Sequence, residues 1–343
     1  VSAVLTAPVA PAPAGARRER DGYLDALRAG SLLVVVLWHL LATKLTWTST
    51  GPHATNPLGS VPGLWLGTWV LQVMPVFFYL GGYLHRRSWR PGYLRYRLVG
   101  LFAMAAPLLV AWVIVGGVLA LAAGNAFADG TVKFALSPLW FLAVYVMLVA
   151  TLPLWLRLHD RLGLAALPLL AGAAAAVDVL RFGFGIGWLG WVNLVLVWGL
   201  AHQAGFHHDA LMRAPRRTGY ALIGGGLTVL CGLLVLGYPG AMVGVPGEKW
   251  SNMSPPTVAI VALTAVQLGL IRLGHPVLPN LLRRRPAVRV LRLANRYGMP
   301  VFLLHMSVLL LAQAVGWPVT GIVLVAVIGS VRLRAMRGSA VRR

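Results

Sequence analysis

Residues 21–42 read DGYLDALRAGSLLVVVLWHLLA. From Leu24 onward the stretch is mostly apolar and long enough to cross a bilayer as a helix. It carries Asp25 and Arg28 at its start and His39 well inside. Arg28 and His39 are eleven residues apart, which is roughly 16 Å of depth on an α-helix, about half the hydrocarbon thickness. Eleven steps of ~100° return the helix to within ~20° of the same face, so both side chains lie on one stripe. An ionisable residue deep in a spanning helix is a functional candidate by default. Histidine is also the side chain suited to taking and returning a proton near neutral pH.

The rest of the chain has the same character. Its 343 residues are 58% hydrophobic and 11% charged, with a mean hydropathy of +0.76, whereas a soluble domain carries about 25% charged residues. This is the composition of an all-α, polytopic integral membrane protein. Hydropathy places about ten spans, near 24–45, 61–84, 98–123, 138–157, 162–180, 186–205, 218–238, 256–273, 298–316 and 318–334. The net charge of +22 does not point to nucleic acid, because the arginines fall in short loops between apolar runs. With ten spans, 26 of the 30 Lys and Arg residues fall on one side, so both termini are expected in the cytoplasm. Residues 1–20, rich in Ala and Pro, read as a disordered cytoplasmic tail, 21–335 as the membrane domain, and 336–343 as a basic tail. The lone Cys231 reads as a small packed residue, and no Cys/His grouping suggests a metal.

Asp25 and Arg28 are i,i+3 neighbours that can pair. Together with His39 they suggest an anion-binding Arg at the mouth and a proton-handling His below it. The run RDGYLDALRAGSLLVVVLWH resembles the opening of the acyltransferase-3 family of integral membrane acyltransferases. Members of that family start with an aromatic-Leu-Asp-x-Leu-Arg stretch followed eleven residues later by His. Tyr23, Leu24, Asp25, Leu27, Arg28 and His39 match it.

Further segments fit the same outline. Phe77, Phe78, Gly81 and Gly82 match a helix ending Phe-Phe-aliphatic-x-Gly, followed by a basic loop with Arg86, Arg87, Arg90, Arg95 and Arg97. The family has an Arg-x-x-Arg pair entering its third helix. Here Gly100 stands three residues after Arg97, which leaves Arg97, with Arg95 in support, as the expected donor contact. SPLWFLAVYV, with Trp140 and Tyr145, resembles a mid-chain Leu-Trp-Phe-Leu element. Trp140 also fits an interfacial belt. WVNLVLVWGLAHQ places Asn193 in a span and His202-Gln203 near its cytoplasmic end. The loop PGAMVGVPGEKWSNMSPPT resembles that of actinobacterial members, with Glu248, Trp250 and Asn252 as possible sugar contacts. YGMPVFLLHMSV resembles a late helix whose His305 would again lie near mid-bilayer.

The resemblance implies an acyl-CoA-dependent O-acyltransferase of the bacterial cell membrane. Acyl-CoA would be a co-substrate, with no permanently bound cofactor. Its phosphates would meet Arg95, Arg97, Arg86 and Arg87, and His39 would act as general base with Arg28 and Asp25 beside it. Trp140, Tyr145, Asn193, Trp250, Asn252 and His305 would contact the acceptor, a hydroxyl of a cell-envelope glycan, a glycolipid or a glycosylated metabolite. The rival reading is a proton-coupled transporter using the same intramembrane His. The lack of visible repeats and of deep acidic residues weighs against it.

Overall fold

The computed structural model describes residues 22–277 and 285–316. The tails at 1–20 and 336–343 and the expected span 318–334 lie outside the described residues. The first helix, α1 (Gly22–Ala42), leads into a hairpin of β1 (Lys44–Thr48) and β2 (Gly51–Thr55). The strands pair antiparallel, with Trp47 opposite Pro52. This hairpin departs from the all-helical expectation. Its Thr- and Trp-containing sequence suits a pleated ribbon outside the hydrocarbon, and Trp47 stacks on Phe127 at 6.1 Å between ring centroids.

The helices that follow are α2 (Thr68–Leu71), α3 (Met74–Ser88), α4 (Tyr93–Ala123), α5 (Asn125–Ala135), α6 (Leu139–Ala150) and α7 (Leu152–Leu162). Next come α8 (Ala166–Gly183), α9 (Val192–Gly205), α10 (His208–Arg213), α11 (Arg216–Val235), α12 (Val258–Gly274) and α13 (Arg285–Ala314).

Six stretches among the described residues are long and apolar enough to cross a bilayer: Gly22–Ala42, Leu64–Ser88, Tyr93–Ala123, Leu152–Gly183, Arg216–Val235 and Leu291–Ala314. A seventh results if Asn125–Ala135 and Leu139–Ala150, bent by 58°, act as one. Ten spans were expected, and the difference has local causes. The expected 138–157 is interrupted at Thr151, and its second half joins the expected 162–180 through the 3-10 turn Gly163–Ala165 into the single stretch Leu152–Gly183. The expected 186–205 opens as a 3-10 turn, Gly187–Trp191, which leaves a 14-residue α-helix. The apolar helix α12 has 17 residues. The expected basic loop 272–297 also changes character, because α13 begins at Arg285 and carries Arg289, Arg292 and Arg296 on a helix.

Hydrogen bonds define two ends of the bundle. At one, Arg28 meets Asn295, Arg86 meets the Phe206 carbonyl, and Arg272 Nε donates to the Ala214 carbonyl at 2.8 Å. At the other, Gln313 bridges Leu45 N–H and the Thr43 carbonyl, and Gln72 Nε2 donates to the Met242 carbonyl at 2.8 Å. These are called below the arginine end and the hairpin end.

Small residues bring two helices together where the site is built. A Cβ at Gly82 would sit 1.8 Å from the His202 carbonyl oxygen, and one at Gly205 2.0 Å from that of Tyr79. The backbones of α3 and α9 therefore touch directly, as small residues permit in membranes. Gly205→Leu is expected to force them apart, at a cost of about 1–3 kcal/mol or more. A lower melting temperature in detergent checks this, and unchanged melting would contradict the packing. Cys231, expected to be packed, is exposed instead, on an α11 face turned away from the bundle.

Candidate active site

Two joined cavities lie at the arginine end. The outer one, a vestibule of about 410 Å³, is lined by Arg28, Arg87, Arg90 and Arg97 with Trp89, Tyr93 and Tyr96. The inner one, a gallery of about 220 Å³, is lined by Leu32, Phe77, Leu101, Phe141, Tyr145 and Met299 among others. Arg28, Leu84 and Arg97 border both and form the neck between them.

The basic residues sort by helical direction. Arg97, Arg87, Arg28 and Arg90 reach the vestibule. Arg95 does not line it: two residues before Arg97 on α4, it points about 200° away and is exposed. Arg86 does not line it either, because its guanidinium is turned to the Phe206 carbonyl. Gly100 lies on an exposed face of α4 with nothing within 4 Å of its would-be Cβ. The second cationic group at the neck is Arg28.

Arg28 is held by Asn295 and not by Asp25. Its Nε donates to Asn295 Oδ1 at 2.8 Å and its Nη2 to the Asn295 carbonyl at 3.3 Å. Asn295 Nδ2 in turn donates to the Asp25 carbonyl at 3.1 Å. The expected Asp25–Arg28 ion pair is absent: among the described residues the only salt bridge is Lys133–Asp129. Among the described residues the vestibule is thus lined by four guanidinium groups and no carboxylate. Fixed donors without a counter-ion suit a polyanion, and arginine forks match phosphate geometry.

Deeper along the same stripe, His39 meets His305 of α13, with Nδ1 and Nε2 3.1 Å apart and ring centroids 5.0 Å apart. Two histidines of helices far apart in sequence are therefore in direct contact. The pair has a direction. His305 Nδ1 faces the Phe302 carbonyl, which can only accept, so that nitrogen carries the proton. In the neutral ring His305 Nε2 then accepts from His39 Nδ1–H. The lone pair of His39 Nε2 is left as the basic site of the pair.

Between gallery and histidines stands an aromatic contact. Phe141 meets Phe302 edge-on at 5.5 Å, and Phe302 packs against His305 at 5.6 Å. Leu32, on the gallery wall, is seven residues short of His39, roughly 10 Å along the helix.

The other expected contacts have other tasks. Asn193 is buried, with Nδ2 donating to Asp178 Oδ1 at 2.8 Å and to the Ala174 carbonyl. Asp178 also accepts from Val258 N–H at 2.8 Å, so it ties α8 and α9 to the start of α12. Asn252 donates to the Pro239 and Ala241 carbonyls and accepts from Thr257 Oγ1, which holds the 237–257 loop. Trp140, half-buried, packs against Phe141 and Trp198. Trp250 is partly exposed at the hairpin end, under Lys249 and Arg181. None of these four lines the vestibule or gallery; Tyr145 does.

Sequence reasoning passed over Asn295 and His85. Asn295 falls in what read as a basic loop, and His85 in a run noted for its glycines and arginines. His202 was placed near the cytoplasmic end of its span but without a partner, and it lies against His85. Nearby, burial, the His159 ring and the Arg86 guanidinium push His207 down to about 4, so it is neutral at pH 7. Among the described residues no group of three or more His, Cys, Asp or Glu could hold a metal ion.

No curated protein and no solved structure matches the chain. The acyltransferase-3 family model, an acyltransferase domain, matches residues 21–332, nearly the whole chain. With the apolar helices and the Arg28–His39 stripe already in place, that match shows that this membrane protein belongs to the acyltransferase-3 family.

Proposed function

We propose that this acyltransferase takes its acyl group from acyl-CoA at the arginine end and passes it to a hydroxyl of a cell-envelope glycan, a glycolipid or a glycosylated metabolite. The observation that supports the donor most is the vestibule itself, four arginines with no carboxylate among the described residues of its lining, opening through a cationic neck into an apolar gallery. A nucleotide polyphosphate suits the first chamber, and a thioester arm with its acyl chain suits the second.

His39 Nε2 takes the proton of the acceptor hydroxyl. The oxygen attacks the thioester carbonyl, the C–S bond breaks, and sulfur leaves with the electron pair. The imidazolium returns the proton to sulfur, so no net proton is gained or lost. His305 orients the ring and accepts from His39 Nδ1–H while the charge is present. Phe141 and Phe302 close the gallery before the histidines, so this mechanism includes their moving aside. The arginine end faces the cytoplasm of a bacterial cell membrane in this reading, where acyl-CoA is found.

The test is release of free thiol from acyl-CoA by membrane vesicles carrying the protein, with envelope extract as acceptor. Acceptor-dependent release above vesicles without the protein is expected. Acylation of the extract from another donor, with acyl-CoA untouched, would remove the donor assignment.

A further inference from the structure

Behind Arg97 runs a chain of three hydrogen bonds through the interior of the bundle. Arg97 Nη2 donates to Tyr145 Oη at 3.1 Å. Tyr145 Oη lies 2.9 Å from His85 Nε2, and His85 Nδ1 lies 3.0 Å from His202 Nε2. Tyr145 is buried, and both histidines have no exposed surface. The two inner members, Tyr145 and His85, are hydrogen-bonded on both sides, which fixes them strongly in such surroundings, and the chain ends at His202, whose Nδ1 is buried with no partner among the described residues.

The chain is built by the glycine pair of α3. A Cβ on Gly81 would lie 2.9 Å from the Tyr145 ring, and one on Gly82 would meet the His202 backbone. Gly81 thus makes room for the tyrosine of α6, and Gly82 lets α9 approach. His85, one turn further on α3, falls between the two.

The bonds have a direction. Arg97 can only donate, so it takes a lone pair of Tyr145. The tyrosine proton then has His85 Nε2 as its acceptor, which requires the proton of His85 on Nδ1. That Nδ1–H donates to His202 Nε2. His85 therefore turns the Tyr145 hydroxyl so that a lone pair faces the guanidinium. Arg97 Nε is buried with no partner, so Tyr145 is its one hydrogen-bonded anchor among the described residues.

We propose that His85 is a positioning residue. Through Tyr145 it aims the Arg97 guanidinium across the neck and so sets the affinity for the phosphates of the donor. The identification of those phosphates rests on the acyl-CoA reading above; the aiming of Arg97 at a polyphosphate does not.

The experiment uses the full chain in detergent or nanodiscs and compares wild type with His85→Phe, His85→Gln, Tyr145→Phe and Arg97→Gln. Inorganic pyrophosphate and free coenzyme A are the binding probes, and acyl-CoA is the substrate. His85→Phe is expected to weaken both probes and raise the donor KM about ten- to a hundredfold, the range of one hydrogen bond to a charged group. The kcat should stay within about threefold, since the interaction is made equally with bound substrate and transition state. Tyr145→Phe should match it. In the Arg97→Gln background, His85→Phe should add nothing, because the two act as one unit. His85→Gln, which keeps an acceptor, should restore part of the affinity.

A fall in kcat with KM unchanged would overturn the proposal in favour of proton transfer. Additive effects with Arg97→Gln, or a loss of melting temperature without loss of affinity, would overturn it in favour of helix packing. Absence of pyrophosphate binding by wild type would overturn it outright. His85-dependent pyrophosphate binding without thiol release from acyl-CoA would support the positioning role and defeat the acyl-CoA assignment alone.

Discussion

His39→Ala reduces turnover by about 10²–10⁴, the contribution of a general base, while the protein still folds. The expectation follows from the direction of the histidine pair. His305 spends Nδ1 on the Phe302 carbonyl and offers Nε2 to His39, which leaves His39 Nε2 as the free lone pair. His305→Ala is expected to cost less, because His39 keeps its basic nitrogen and loses only its orientation. Rates of free-thiol release at equal folded protein decide the matter. A His39→Ala variant that keeps full turnover would remove the general base from the mechanism. A His305→Ala variant that loses more than His39→Ala would reverse the two roles.

The second large effect is at the neck. Arg28→Ala is expected to raise the donor KM by about 10–100-fold, as for loss of a charged hydrogen-bonding group. Arg28→Lys should recover little, since an ammonium cannot reproduce a fork held at Nε and Nη2 by Asn295. Asn295→Asp should weaken the donor further, because a carboxylate there supplies the counter-ion that the phosphates would otherwise provide. Asp25→Asn should change KM little, because the Asp25 carboxylate is not bonded to Arg28. Steady-state KM values for the four variants check these statements. A large effect of Asp25→Asn with none from Asn295→Asp would restore the i,i+3 pairing that the sequence suggests.

Periodicity alone placed Arg28 and His39 on one stripe, since the angle between them depends only on helix geometry. The apolar runs and their flanking arginines were equally legible, because burial in lipid forces a long apolar segment whatever its neighbours. The number of spans was less so. Interruptions such as Thr151 and the 3-10 turn Gly187–Trp191 change helix length without changing hydropathy.

Residue partners across the bundle were not legible. Asp25 was the natural mate for Arg28 along the helix, yet Asn295, 267 positions away, holds it. Asn193 and Asn252 stood among the expected acceptor contacts, and their amide N–H groups are donated within the fold. Arg95 and Arg97 lie in one basic run, and two helical steps, about 200° in all, separate a cavity wall from an exposed face. Gly81 and Gly82 were legible only as part of a family-like helix end, and in the structure they make room for Tyr145 and His202, which meet His85 behind Arg97.

The sequence by itself determined that this is a helical membrane protein with an ionisable stripe on its first span, because lipid and helix periodicity act on each segment locally. Only the tertiary structure decided which groups complete the site. Which side chain satisfies a buried donor depends on helices distant in sequence, and in this chain they meet where glycines let the backbones approach.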